Sequence, residues 1–216
     1  MKRKIIGAAI ATVVALVVNL VWFSSVFDVR TVKILGTNLT TTSQVRSAAA
    51  IELGQPVARV DVDAAAERIR AIRVVESVDV RRGLPHTIVI DVHERVPIAA
   101  TTADDGAWWL VDKHGVMFRK VPQLPAGLTV VQAYTELFRG IGARMAAGMP
   151  QWLRERVATV SVYAEEDIRL QMKNGKLVRW GGEGKAERKA EVLYVLLKIP
   201  AKQYDVSAPN APATKK

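Results

Sequence analysis

The chain has 216 residues, a formal net charge of +10, 50% hydrophobic side chains and 6% aromatic ones. That composition is too apolar for a disordered tail, and the length is too short for a polytopic transporter. The absence of cysteine excludes a disulfide scaffold, a thiolate metal centre and a cysteine nucleophile. The 31 Lys and Arg are interspersed with 21 acidic residues, without the aromatic-interleaved basic stripe of a nucleic-acid surface, so no nucleic-acid partner is expected.

From Ile5 to Phe27 no side chain is ionisable. Those roughly 23 positions, at about 1.5 Å each, exceed the ~30 Å hydrocarbon thickness of a bilayer, which predicts one transmembrane helix over 5–27. Lys2, Arg3 and Lys4 precede it and Asp28 follows, so residues 1–4 are expected in the cytoplasm and the remainder outside. A cleaved signal peptide would have a shorter apolar core, about 7–15 residues, ending in small residues; here the run exits through Trp22 and Phe23.

Beyond the span, Val29 to Leu35 reads as a strand ended by Gly36 and Asn38. Thr42 or Ser43 offers a cap for a short helix with Val45, Ala48 and Ala49 on one face, closed by Gly54 and Pro56. Asp61 or Asp63 opens a second helix whose Val62, Ala65, Ala66 and Ile69 form an apolar stripe. Val78 and Val80 alternate with Asp79 and Arg81, Gly83-Leu84-Pro85 turns the chain, and Ile88, Ile90 and Val92 alternate on the return. The order β-α-α-β-β over 28–95 fits a two-layer domain with a three-stranded sheet and two helices on one face.

These residues carry a family resemblance. Phe27-x-Val29-x-x-Val32-x-Ile34-x-Gly36, Gly54-x-Pro56, Val60-Asp61 and the run from Val78 through Arg82, Pro85, Thr87 and Ile88 to Glu94-Arg95-x-Pro97 resemble the POTRA domain of the bacterial division proteins FtsQ and DivIB.

Pro97 interrupts strand pairing at the joint with the next segment. Trp108, Leu110 and Val111, the turn Asp112-Lys113-His114-Gly115 and Val116 to Phe118 predict a hairpin. After Val130 and Val131, helical spacing is expected around Arg144 to Arg156, split at Gly148 and Pro150. Ala158 to Tyr163 and Ile168 to Met172 predict strands, and Asn174-Gly175 turns the second back through Leu177 to Trp180. Glu187 to Lys198 is amphipathic and stops at Pro200. Gln203 to Ser207 is expected as the last short strand, with residues 208–216 a flexible tail of Pro and Lys. Leu110-Val111-Asp112-x-x-Gly115, Pro122-x-Leu124-Pro125, the 181–185 turn and Tyr204-Asp205-Val206-Ser207-x-Pro209 resemble the β domain of the same family. The fold class is therefore expected to be α+β: a transmembrane helix, a POTRA domain over 28–95 and a β-rich domain with packed helices over 96–207.

Residues that could carry chemistry are sparse. His86, His93 and His114 lack the i+3 or i+4 partners of a helical metal site, and Asp104-Asp105 and Glu165-Glu166-Asp167 lack calcium-loop spacing. Gly181-Gly182-x-Gly184-Lys185 departs from the phosphate-loop pattern because Ala186 follows the lysine, and is expected to turn a strand into a helix. Trp108, Trp109, Trp152 and Trp180 are expected in the core rather than along a glycan groove. No catalytic residue, cofactor or metal site is expected.

What remains is main-chain chemistry. A last strand at a sheet edge offers unpaired amides and carbonyls to an incoming extended segment, which makes Gln203, Tyr204, Asp205, Val206, Ser207 and Ala208 the candidate partner-binding residues. The resemblance implies that the visitors are the small coiled-coil division proteins FtsB (DivIC) and FtsL. It also implies a single-pass scaffold at the division septum rather than an enzyme. A membrane-tethered peptidoglycan-modifying enzyme or glycan-binding protein is the alternative.

Overall fold

The computed structural model describes residue 6, residues 10–13 and residues 27–215. The expected cytoplasmic tail over 1–4 lies outside the described residues, as does most of the expected span over 5–27. Among the described residues no helix is long and apolar enough to cross a membrane. The chain divides into two compact units, with the boundary between Arg95 and Val96.

The first unit contains β1 (Thr31–Leu35), α1 (Thr42–Ala49), a 3-10 turn (Val57–Arg59), α2 (Val62–Arg70), β2 (Val75–Gly83) and β3 (Thr87–Glu94). Local chemistry sets the helix starts. The side chain of Thr41, just before either expected cap, accepts from the Gln44 amide while Gln44 reaches back to the Thr41 amide; this capping box satisfies two otherwise orphaned donors. Asp61 Oδ1 accepts from the Ala64 amide at 2.9 Å and opens α2. The strands order β1-β3-β2, with β1 parallel and β2 antiparallel to β3. Alternation along β3 sends Ile88, Ile90 and Val92 into a core shared with Val45, Ala65 and Ile69, burial that contributes roughly 1.5–3 kcal/mol for each large aliphatic side chain.

The second unit is built on β4 (Ala99–Thr102), β5 (Trp108–Val111), β6 (Met117–Val121), β7 (Thr129–Ala133), α3 (Glu136–Gly148), α4 (Gln151–Arg154), β8 (Val157–Ala164), β9 (Asp167–Met172), β10 (Leu177–Gly181), α5 (Ala186–Leu196), β11 (Gln203–Asp205) and β12 (Ala213–Lys215). Its strands form one sheet in the order β12-β11-β10-β9-β8-β7-β4-β5-β6. Ile168, Leu170 and Met172 alternate inward against exposed Arg169 and Gln171, and they share a core with Ile141, Ala146, Leu153 and Leu193 from the helices.

The structure differs from the sequence expectation in three places. The helical region begins at Glu136, not near Arg144, because Thr135 caps it by accepting the Phe138 amide at 3.1 Å; Gly140 and Gly142 inside α3 had masked the helical pattern. A short strand of small residues, β4, pairs β5 and β7 where no strand was expected. Finally, residues 213–215, expected to lie in a tail, pair antiparallel with β11 and continue the sheet.

Candidate functional site

The expected docking strand is set by the segment that delivers it. β10 ends at Gly181, whose φ of 78° lies in the left-handed region, and Lys185, at φ 59°, opens α5 without a side-chain cap. The glycine-rich stretch is thus a strand-to-helix turn, closed by the buried Lys189, whose Nζ donates to the Gly182 carbonyl at 2.8 Å. Burial lowers the Lys189 pKa, and the nearby Glu166 carboxylate opposes that shift.

After α5, Tyr204 fixes β11. Its ring is buried, its hydroxyl donates to the Ile199 carbonyl at 2.8 Å, and it accepts from Lys176 Nζ at 2.8 Å. Tyr204 therefore ties the strand to the segment that follows α5 and to the β9–β10 turn at once. Val206, fully buried, donates its amide to the Arg179 carbonyl at 2.9 Å, and the Lys202 carbonyl accepts from the Leu177 amide at 3.0 Å. Main-chain groups alternate along a strand, so with Lys202 O and Val206 N given to β10, the amides and carbonyls of Gln203 and Asp205 face the other way.

That outward side is occupied. Gln203 lies opposite Lys215, Tyr204 opposite Thr214 and Asp205 opposite Ala213. All three β12 side chains are exposed, so the added strand contributes nothing to the core. Net hydrogen bonds contribute about 0.5–1.5 kcal/mol each, whereas ordering a residue costs about 1–2 kcal/mol; a three-residue strand held by main chain alone is therefore marginal.

The six residues expected to bind a partner have different fates. Tyr204 and Val206 are core side chains and present no specificity surface. The strand stops at Asp205 rather than Ser207, because Asp205 Oδ1 accepts both the Ser207 amide at 2.9 Å and the Ser207 hydroxyl at 2.6 Å, drawing the backbone out of the ladder. Ala208 is exposed and its carbonyl accepts from the Ala211 amide. Gln203 and Asp205 remain as the positions that face outward. Beside them Arg169, Leu177, Arg179 and Lys215 line a shallow depression of about 360 Å³ across β9 to β12; the sequence pattern did not single out this basic face.

The other chemical candidates resolve into local structure. Asp105 pairs with Lys120 at 2.5 Å and Asp167 with Arg169 at 2.7 Å, and hydrogen bonds from these cations lower both carboxyl pKa values. His86 Nδ1 lies 3.1 Å from the Asp28 carbonyl. Among the described residues no three His, Asp or Glu group to hold a metal. Of the four tryptophans expected in the core only Trp180 is buried. Trp152 stands half-exposed, edge-on to Tyr194 at 5.3 Å with the Arg156 guanidinium over its ring, an amphipathic placement that suits indole.

The model of the FtsQ-type POTRA domain matches residues 27–95, and that of the FtsQ/DivIB C-terminal region matches residues 100–207. The cell division protein FtsQ of Streptomyces bingchenggensis is 37% identical over 221 residues, covering 96% of this chain and 83% of that relative. FtsQ of Mycobacteroides abscessus is 32% identical over 91% of this chain, which spans 64% of that relative's length. Among solved structures, the major extracytoplasmic domain of DivIB from Geobacillus stearothermophilus, in its trans isomer, is 14% identical, with a TM-score of 0.35 over 44% of this chain and 84% of its own, too distant to bear on the fold. FtsQ/DivIB proteins are non-enzymatic septal division scaffolds that work in the divisome with other division proteins, which removes the wall-modifying enzyme as a reading. With both family regions matched in order and relatives identical at a third of positions over nearly its whole length, this chain belongs to the FtsQ/DivIB family of bacterial cell division proteins.

Proposed function

We propose that the chain is a single-pass membrane scaffold that assembles septal division proteins through its extracytoplasmic part. In this reading residues 5–27 span the membrane with residues 1–4 inside, 28–95 form the POTRA domain, and 96–207 form the β domain. An extended segment of an FtsB- or FtsL-type protein pairs with β11 at Gln203 to Ala208, centred on the outward-facing Gln203 and Asp205. Confinement to the membrane surface raises the effective concentration of such partners. The observation that carries the reading is the environment of β11: its inner side is pinned by Tyr204 and Val206, while its outer side takes an antiparallel strand through main-chain groups, the chemistry of strand addition.

Val206 is a poor probe, since its amide already serves β10. Gln203→Pro removes an outward amide at an exposed position. In the full chain, held in detergent micelles, this substitution is expected to weaken binding of the extracytoplasmic regions of FtsB- and FtsL-type partners about three- to tenfold, with the thermal midpoint unchanged. Equal binding by the variant and the parent protein would remove β11 as the docking strand.

A further inference from the structure

We propose that β12 is a displaceable plug: Ala213–Lys215 holds the outer edge of β11 within the chain itself, and an extended partner segment takes its place there instead of adding beyond it. The proposal deepens, and rests on, the docking reading of β11.

The two strands of this pair are unequally held. β11 is fixed by the buried Tyr204 and Val206 and by hydrogen bonds to β10 and to the segment that follows α5. Pro209 is buried, but every described residue from Asn210 to Lys215 is exposed. β12 therefore meets the sheet through its main chain alone, the condition under which a segment opens locally without unfolding the rest. A turn in which the Ala211 amide donates to the Ala208 carbonyl at 2.9 Å directs the chain back along β11.

The register also defines what fits. The pairs Gln203–Lys215 and Asp205–Ala213 present the edge to an antiparallel, extended stretch, and since every protein backbone supplies these groups, a partner and β12 compete for the same bonds. Adding a partner outside β12 would instead build on the least anchored strand of the sheet. With β12 closed in most molecules, the apparent partner affinity falls to its intrinsic value multiplied by the fraction of molecules whose edge is open.

Two measurements on the full chain in detergent micelles test this. By amide hydrogen exchange without any partner, the Gln203 and Asp205 amides are expected to be at least about tenfold less protected than those of Tyr204 and Val206, which face β10. In the double variant Ala213→Pro, Lys215→Pro, which removes the β12 amides opposite Asp205 and Gln203, that protection disappears while Tyr204 keeps its own. Equal protection of Gln203, Asp205 and Tyr204 in the parent protein overturns the plug. In binding to the partner regions named above, the double variant is expected to gain about three- to tenfold in affinity; unchanged or weaker binding overturns displacement. Absence of binding by both proteins sinks the docking reading, and the exchange measurement still decides whether β12 opens.

Discussion

Glu94 shows how one side chain governs a whole loop. Partial burial works against its ionisation, but the Thr40 hydroxyl at 2.5 Å and the Leu39 and Thr40 amides at 2.6 and 2.7 Å outweigh that, so its pKa lies below the usual carboxylate value. A carboxyl whose pKa is depressed by folding stabilises the folded state above its unfolded pKa of about 4.3, and that contribution is lost as pH falls through the lower folded value. Glu94→Gln is accordingly expected to destabilise the first unit by about 1–3 kcal/mol at neutral pH. The difference should shrink as the medium is acidified into the titration range of the native Glu94. Chemical denaturation of the parent and variant chains across pH 3–7 checks this, and a difference independent of pH would exclude the charged hydrogen bonds as its source. The Glu94-Arg95-x-Pro97 motif was visible in the sequence; its carboxylate's partners, 54 and 55 residues away, were not, because nothing local encodes so long a closure.

At the scale of elements, α3 explains why helical periodicity misled. Gly140 and Gly142 lower helix propensity by about 1 kcal/mol each relative to Ala, and that moved the expected start of the helix eight residues too late. Both glycines are needed for close approach: a Cβ on Gly140 would stand 2.7 Å from the His114 carbonyl oxygen, and one on Gly142 2.6 Å from Val131 Cγ1. The same contact is locked by Arg139, buried, which donates to the Gly115 carbonyl at 2.7 Å. Gly140→Ala is expected to cost about 1–3 kcal/mol of second-unit stability through overpacking. Gly148→Ala, with nothing near its position, is expected to add up to about 1 kcal/mol. Urea unfolding of the two variants should separate them in opposite directions; a shared loss would assign the glycines to some role other than clearance. By contrast, the β9–β10 hairpin was legible because Asn174-Gly175 supplies its own turn, with Gly175 at φ 82°.

For the whole molecule, the reading turns on attachment as much as on the sheet edge. Replacing residues 1–27 with a cleavable secretory signal is expected to release the extracytoplasmic part and abolish septal enrichment in cells, as followed by fluorescence of a fused reporter. Septal placement of the released form at normal levels would contradict confinement as the basis of assembly. The sequence by itself determined the order of elements in the first unit, the α+β class and the family, since alternation, capping residues and turn dipeptides are short-range and survive in one dimension. Only the tertiary structure decided that Tyr204 and Val206 belong to the core, that Gln203 and Asp205 face outward, and that residues 213–215 cover them. Which neighbour a strand edge meets depends on how distant segments are folded back together, and the exposed Ala-Thr-Lys of β12 carries no apolar alternation to announce its pairing.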